Sequence, residues 1–337
     1  MLRTERLTIS VMNESHAEAV TAYRNLPEVS RYQDWDLPYT FERALSRLAL
    51  QADVLDVTEG KWVSFALEAD GGLIGDVVAH LHAGGGIAEI GFTLQPSFQG
   101  MGYASEATEA LVDHLIGNFG VQRIEASLDP VNIASMRVLE RLGMQQESLA
   151  RSAYYVRGEW VDDLRYSMTL ADREAWLTRP RTPPTAIELV EITPDDAYLW
   201  GRLRTRHSQQ GFVATMPLSF RDALFPDVVD GAPVVPWMRG ILADGERVGF
   251  IMTAEVTDHH PEPYLWRLLV DRMHQRRGIG ELALRSLIDQ LGRQGHSTLV
   301  TSYVDDVAGS PAPFYRRLGF VPTGEMDDGE TVARLTW

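Results

Sequence analysis

The sequence predicts a mixed α/β protein built twice, each copy a set of strands and helices around one twisted sheet. Three observations lead there. One is a repeated pattern: "TLQPSFQGMGYASEATEALV", residues 93–112, and "LVDRMHQRRGIGELALRSLI", residues 269–288, each run from an apolar strand through a glycine-bearing loop into an amphipathic helix. Gln99, Gly102 and Ala104 stand 176 residues before Gln275, Gly278 and Gly280, and Leu142–Gly143 stands 176 residues before Leu318–Gly319. An ungapped match from loop to final turn marks a duplication. Another is "TRPRTPPTA", residues 178–186, whose three prolines disfavour helix and central strand and predict a stiff exposed linker. The last is size: 337 residues, 45% of them apolar, suffice for two packed cores. The predicted domains are residues 1–177 and 187–337, joined by 178–186.

Each copy opens with a strand and an early helix, in the second "IELVEI" followed by "PDDAYLWGRLRTRH". After that the order is strand, loop, helix, strand, helix, strand. The first copy supplies "EIGFTL", its loop, "SEATEALVDHLIGNFG", "RIEASL", "NIASMRVLERLG" and "DLRYSMTL". The second supplies "LWRLLV", its loop, "ELALRSLIDQLGRQG", "TLVTSYV", "PAPFYRRLG" and "TVARLTW". Ala107, Leu111 and Leu115 recur every four residues, as do Leu284 and Ile288 with Leu287 and Leu291, which is helical spacing. Gly120 and Gly295 are placed to end those helices.

The net charge of −16 argues against a nucleic-acid partner, which needs basic surface for phosphates, and is compatible with a cationic small molecule. Without cysteine there are no disulfides, thiolate metal sites or cysteine nucleophiles. No apolar run approaches the roughly 20 residues of a membrane span. "MLRTERLTIS" alternates like a strand and lacks a signal peptide's apolar core, so the expected setting is the cytoplasm, with no membrane partner. Adjacent histidines in "DHHPE" would point to opposite faces of a strand, so that stretch reads as loop and no metal is expected. "RLRTRH" reads as a solvated basic helix face. Monomer and homodimer both stay open.

A strand that ends in a glycine turn and starts a helix aims unpaired backbone N–H groups, and the positive end of the helix dipole, at one point. That point suits a phosphate. Glycine or alanine at alternate positions lets an oxygen approach the main chain. Neither the dinucleotide fingerprint nor the Walker loop is present; the form here is Q-x-x-G-x-[G/A].

With this loop the chain resembles the GNAT superfamily of N-acetyltransferases, which hold the acetyl-CoA pyrophosphate there. Residues 1–177 resemble the RimJ/RimL type through "LRTERLTI", "AEIGFTLQPSFQGMGYASEA", "NIASMRVLERLGM", "VRGEWVDDLRYSM" and "REAW". Residues 187–337 resemble bacterial spermine/spermidine acetyltransferases through "GFVA", "RVGFIMT", "WRLLVD", "QRRGIG", "FYRRLGF" and "TGEMDDGETVARL". The resemblance implies two tandem acyltransferase domains and acetyl-CoA as cofactor. It implies coenzyme contacts at Leu269, Val270, Gln275, Arg276, Arg277, Gly278, Ile279 and Gly280. In the first copy it implies Thr93, Leu94, Gln99, Gly100, Met101, Gly102, Tyr103, Ala104 and Asn132. With Arg276 and Arg277 in its loop, the second copy is expected to hold coenzyme more tightly.

Acetyl-CoA is an activated thioester, so acetyl can pass directly to an amine. An ammonium group of pKa about 10.4 must first lose a proton, and the leaving thiolate must gain one. The resemblance gives Tyr315 the role of acid in the second copy, where the first has Leu139, and gives Ser135 that role in the first. Packing on the preceding strand is the plainer reading of Tyr315, and helix surface that of Ser135. Glu89 and Glu255 are the candidate bases, each open to being an ordinary solvated carboxylate. Asp34, Trp35 and Asp36 lie where the family places a substrate-lining loop and could hold an ammonium by charge and cation–π contact. The expected reaction is N-acetylation of a small cationic amine, a polyamine or an amine-bearing antibiotic. The alternatives are acetylation of a protein N-terminus or lysine, and an acyl-CoA sensor with one or both domains inactive.

Overall fold

Val63, Phe65 and Leu67 point to one side of their strand and Ser64 and Ala66 to the other, and all five are buried. The sheet they belong to is therefore covered on both faces. The computed structural model describes residues 1–229 and 231–337, and the chain divides into two units, Met1–Thr178 and Arg179–Trp337.

The first unit runs β1 (Leu2–Arg3), β2 (Thr8–Val11), α1 (Ala17–Arg24), α2 (Pro27–Ser30), α3 (Phe41–Ala49), β3 (Trp62–Ala69), β4 (Gly72–Leu81) and β5 (Ile87–Leu94). It continues with α4 (Tyr103–Phe119), β6 (Arg123–Leu128), α5 (Ile133–Leu142), β7 (Gln145–Val156), β8 (Glu159–Thr169) and α6 (Leu170–Thr178). Its eight strands lie in the order β1-β2-β3-β4-β5-β6-β8-β7. Ala107, Leu111 and Leu115 of α4, with Met136 and Leu139 of α5, cover one face; Val20 and Tyr23 of α1, with Ala44 and Leu48 of α3, cover the other.

The second unit runs β9 (Ile187–Val190), α7 (Ala197–Trp200), α8 (Met216–Leu224), β10 (Val228–Val229), β11 (Ala232–Pro233), β12 (Pro236–Ala243), β13 (Glu246–Ala254) and β14 (Tyr264–Val270). Then come α9 (Ile279–Arg293), β15 (Thr298–Tyr303), α10 (Ala312–Arg317), β16 (Val321–Asp327) and β17 (Glu330–Thr336). Seven strands form the sheet β16-β17-β15-β14-β13-β12-β9, while β10 and β11 pair with each other. The architecture is the predicted mixed α/β, twice.

Each sheet contains one parallel pair, and in both it opens like a fork. In the first unit β5 and β6 pair from Ile87/Arg123 to Glu89/Glu125; in the second β14 and β15 pair at Tyr264/Val300 and Leu265/Thr301. Glu89 and Glu125 precede Leu265 and Thr301 by 176 residues, so both forks open at the same register. Beyond it, among the described residues, the last residues of β5 and β14 have no strand partner on that side. On the other side, glycine permits a close approach. A Cβ at Gly75 would lie 2.1 Å from the Thr93 carbonyl oxygen, and one at Gly249 would lie 2.5 Å from that of Leu269.

Two expectations change. The early helix expected over "PDDAYLWGRLRTRH" is one turn, α7, because Trp200 is buried beneath Gly240 and the chain leaves the helix to pair elsewhere. The Arg204 N–H donates to Asp271 at 2.8 Å and its carbonyl accepts from Arg272 N–H at 2.8 Å. The proline-rich segment is exposed but fastened to the second unit: Asp244 accepts from the N–H groups of Thr185 and Ala186, both at 2.9 Å. Among the described residues no helix is long and apolar enough to cross a membrane.

Candidate active site

The two glycine loops are closed by the same hydrogen bond. Gln99 Nε2 donates to the Leu94 carbonyl at 3.0 Å, and Gln275 Nε2 donates to the Val270 carbonyl at 3.1 Å. Gly100 and Gly102 have φ of 74° and 87°; Arg276 and Gly278 have 65° and 78°. These left-handed turns reverse the chain into α4 and α9, whose N-caps Gly102 and Gly278 have no side chain to bind the first helical N–H groups. The amides of Tyr103 and Ala104, and of Ile279 and Gly280, therefore point outward. A Cβ at Gly278 would meet nothing within 4 Å, so the hollow before the second loop is open. A diphosphate fits such a hollow on charge, donor geometry and room.

The surroundings differ. Across the first loop lies Arg6: its Nη1 donates to the Met101 carbonyl at 2.9 Å, its guanidinium sits 4.3 Å from the Tyr103 ring centroid, and Glu106 pairs with it at 2.6 Å. Among the described residues Arg276 makes no ion pair or side-chain hydrogen bond, and it lines a cleft of about 1560 Å³ in the second unit. Val270, Gln275, Gly278, Ile279 and Gly280 line it too, as do Leu268 and Tyr315.

Arg277 corrects an expectation. It is buried, donates through Nε to the Thr182 carbonyl at 2.8 Å, and has Nη1 3.0 Å from Nδ1 of His274. Burial lowers the His274 imidazole's affinity for a proton, which suits its role as acceptor. Arg277 faces the linker, away from the hollow, because Arg276 in left-handed conformation turns the chain over between them.

Tyr315 packs on the preceding strand, as the plainer reading expects, and also borders the cleft. Its ring stacks on Tyr303 of β15, with centroids 5.4 Å apart and planes 8° apart. Burial pushes its phenol up to about 12, so it carries its proton at neutral pH. Leu139, its counterpart, is core. Asn132 caps α5 by accepting from the Ser135 N–H at 3.1 Å, which explains the Asn-x-x-Ser spacing as helix initiation; Ser135 lies partly exposed in the first turn.

Glu89 is half-buried on β5, opposite His80 and beside Glu125. Burial raises its carboxyl above the usual value, against the pull of His82 and Arg165. Glu255 lies one residue past the end of β13, exposed, and is not among the cleft-lining residues, so it does not serve as base there. Trp35 is buried: its Nε1 donates to the Arg24 carbonyl at 3.2 Å, and the Arg24 guanidinium occupies its ring face at 4.6 Å. The protein's own cation fills the place proposed for a ligand's. Asp36 pairs with Arg43 at 3.1 Å, and Asp34 is exposed.

The sequence reading missed Tyr264, Ser302, Asp327 and Glu330, all of which line the cleft. A signal existed in "GEMDDGETV", where two short strands joined by Asp328–Gly329 form a hairpin beside the fork.

Comparison with known proteins agrees with this geometry. Residues 6–145 match the acetyltransferase (GNAT) domain profile, and residues 200–320 match that of the acetyltransferase (GNAT) family. The chain is 30% identical over 169 residues to an uncharacterized N-acetyltransferase, p20, of Bacillus licheniformis, spanning 50% of this chain and 94% of that one. It is 30% identical over 169 residues to the uncharacterized N-acetyltransferase YoaA of Bacillus subtilis, spanning 50% and 96%. Among solved structures, a GNAT-family acetyltransferase from Bacillus anthracis aligns with 27% identity and a TM-score of 0.45, over 50% of this chain and 97% of that one. Two glycine loops, each at the mouth of a forked parallel pair, thus have their explanation in descent: the chain belongs to the GNAT acetyltransferases, carries two such domains in tandem, and is an acetyl-CoA-dependent N-acetyltransferase.

Proposed function

We propose that the second domain carries the turnover and that its acceptor is a primary amine on a small cationic molecule. One observation carries this reading. The glycine loop, with Arg276 and the outward amides of α9, lines the same cleft as Glu325, Asp327, Asp328 and Glu330 of the β16–β17 hairpin. One end suits phosphates and the other a cation, so the cleft has the polarity that joins coenzyme to amine.

Bound acetyl-CoA supplies an activated acyl group. The chain's contribution is position and protons. Main-chain N–H groups at Leu268 and Val270, which face the open side of the fork, are the donors proposed for the acyl oxygen; Leu269, expected to touch coenzyme, is buried and turns its main chain to Phe250 of β13. Tyr315 holds a proton for the departing sulfur. The acidic hairpin concentrates and orients the ammonium.

A protein N-terminus is the second reading, for the first domain. It is favoured by a 29% identity over 83 residues to the ribosomal protein uS5 alanine N-acetyltransferase of Escherichia coli, 25% of this chain and 43% of that one. Free-thiol release from acetyl-CoA, measured over a panel of diamines, polyamines, aminoglycosides and N-terminal peptides, separates the readings. Turnover with polycations that Tyr315→Phe slows about 100-fold supports the first. Turnover confined to peptides and insensitive to Tyr315→Phe overturns it, and coenzyme binding without any thiol release supports a sensor.

A further inference from the structure

The second domain holds a hydrogen-bonded row of side chains of which the roles above use only Glu330, as part of the acidic hairpin. Tyr264 begins β14, Ser302 follows the last parallel rung on β15, and Glu330 begins β17. The Tyr264 hydroxyl donates to Ser302 Oγ at 2.8 Å, and the Ser302 hydroxyl donates to Glu330 Oε2 at 2.5 Å. Both donors point the same way, toward Glu330. All three side chains line the cleft with Tyr315.

We infer that this row takes the proton from the acceptor amine, with Glu330 as its final acceptor. The inference rests on the second domain being the site of turnover. As the ammonium N–H bond breaks, its proton passes to the Tyr264 oxygen, and the nitrogen keeps the electron pair it needs for attack. The Tyr264 proton moves to Ser302 and the Ser302 proton to Glu330, where a carboxyl O–H forms. One positive charge leaves the amine and one negative charge is neutralised on Glu330, with no further reactant. Burial raises the Tyr264 phenol, so it passes a proton on rather than resting as phenolate.

Other groups face the same place. Asp327 sits across the hairpin from Glu330 and 3.4 Å from the Tyr264 hydroxyl, and Tyr315 approaches from α10. Arg334 is taken by Glu262 at 2.6 Å. Glu330, Ser302 and Tyr264 thereby fill the role expected of Glu255, acting on the amine through the phenol.

The test uses the full chain, acetyl-CoA and the best of three probes: spermidine, 1,4-diaminobutane and 2-phenylethylamine. Glu330→Gln and Ser302→Ala are each expected to lower kcat at saturating amine and pH 7 by about 100-fold, within the range of general base catalysis. The dissociation constant for acetyl-CoA should stay within about twofold of the parent. Because free amine forms unaided at high pH, the kcat deficit should shrink steadily toward pH 10. A deficit equal at every pH, or an effect on KM alone, overturns the relay. A parent chain active with a probe and both variants unimpaired overturns the relay while leaving the reading of the domain intact. A parent chain that releases no thiol with any probe overturns both.

Discussion

The two domains keep the same main chain at their loops and differ in the side chains around it. Positions 100 and 276 share a left-handed φ, one as glycine and one as arginine; positions 139 and 315 are leucine and tyrosine; positions 89 and 265 are glutamate and leucine. The phosphate hollow is a property of backbone N–H groups, so it survives such changes. Proton transfer is a property of side chains, and it does not. Two copies of one hollow therefore need not be two copies of one active site, and the variants below ask where the likeness stops.

The largest effect should fall where the domains are alike. Gly75→Ala and Gly249→Ala would each drive a methyl group into a carbonyl oxygen, at 2.1 and 2.5 Å, at the end of the strand that feeds the loop. Each should lose about 3 kcal/mol or more in equilibrium denaturation, since the contact is with backbone that cannot rotate away. A silent substitution in one copy alone would break the equivalence.

Next comes the sharpest chemical difference. Tyr315→Phe should lower thiol release with a polycation about 100-fold, close to 2.7 kcal/mol of transition-state stabilisation, while Ser135→Ala stays within about twofold. The reverse order would move the turnover to the first domain.

Much of this was legible in the sequence. A glutamine, a glycine and a small residue at fixed spacing prescribe a loop geometry, and the loop dihedrals follow from that local chemistry. Arg277 was not legible. Two adjacent arginines look equivalent in a string of letters, and only the left-handed turn at Arg276 sends the second one inward. Trp35 failed for a similar reason: its partner Arg24 lies eleven residues earlier on α1, and burial of that pair is a tertiary fact. The short α7 is not legible either, because Asp271, far along the chain, captures the backbone that a longer helix would have used.

The paired arginines give the next contrast. Arg276→Gly recreates the first loop's residue at a position of positive φ, relieving about 1 kcal/mol of backbone strain while removing a cation from the hollow. Stability should hold or rise slightly, and coenzyme affinity, by titration calorimetry, should fall about tenfold. Arg277→Ala should do the opposite: a stability loss of about 1–3 kcal/mol, because the Thr182 carbonyl and His274 lose their partner, with coenzyme affinity within about twofold. If both variants weaken coenzyme equally, Arg277 reaches the hollow after all.

The smallest effect concerns Glu89, and its sign is fixed by linkage. Burial raises its carboxyl above the ordinary carboxylate value, so over the range between the unfolded and folded values the native state holds more protons than the unfolded one. Stability contributed by the protonated form is present below the unfolded value and is lost as pH rises through the folded one. Glu89→Leu, which installs the residue the second domain carries at that register, should remove this decline and flatten the acid side of the stability profile. Glu106 has the opposite sign: burial opposes its charge, but hydrogen bonds from Thr4 and Arg6 outweigh it and hold the carboxyl below its usual value. Its contribution is therefore present above the unfolded value and lost as pH falls, and Glu106→Gln should cost stability at neutral pH where Glu89→Leu gains it. Thermal midpoints of the two variants between pH 4 and 7 should diverge with rising pH, and parallel curves would remove burial of Glu89 as the difference between the two forks.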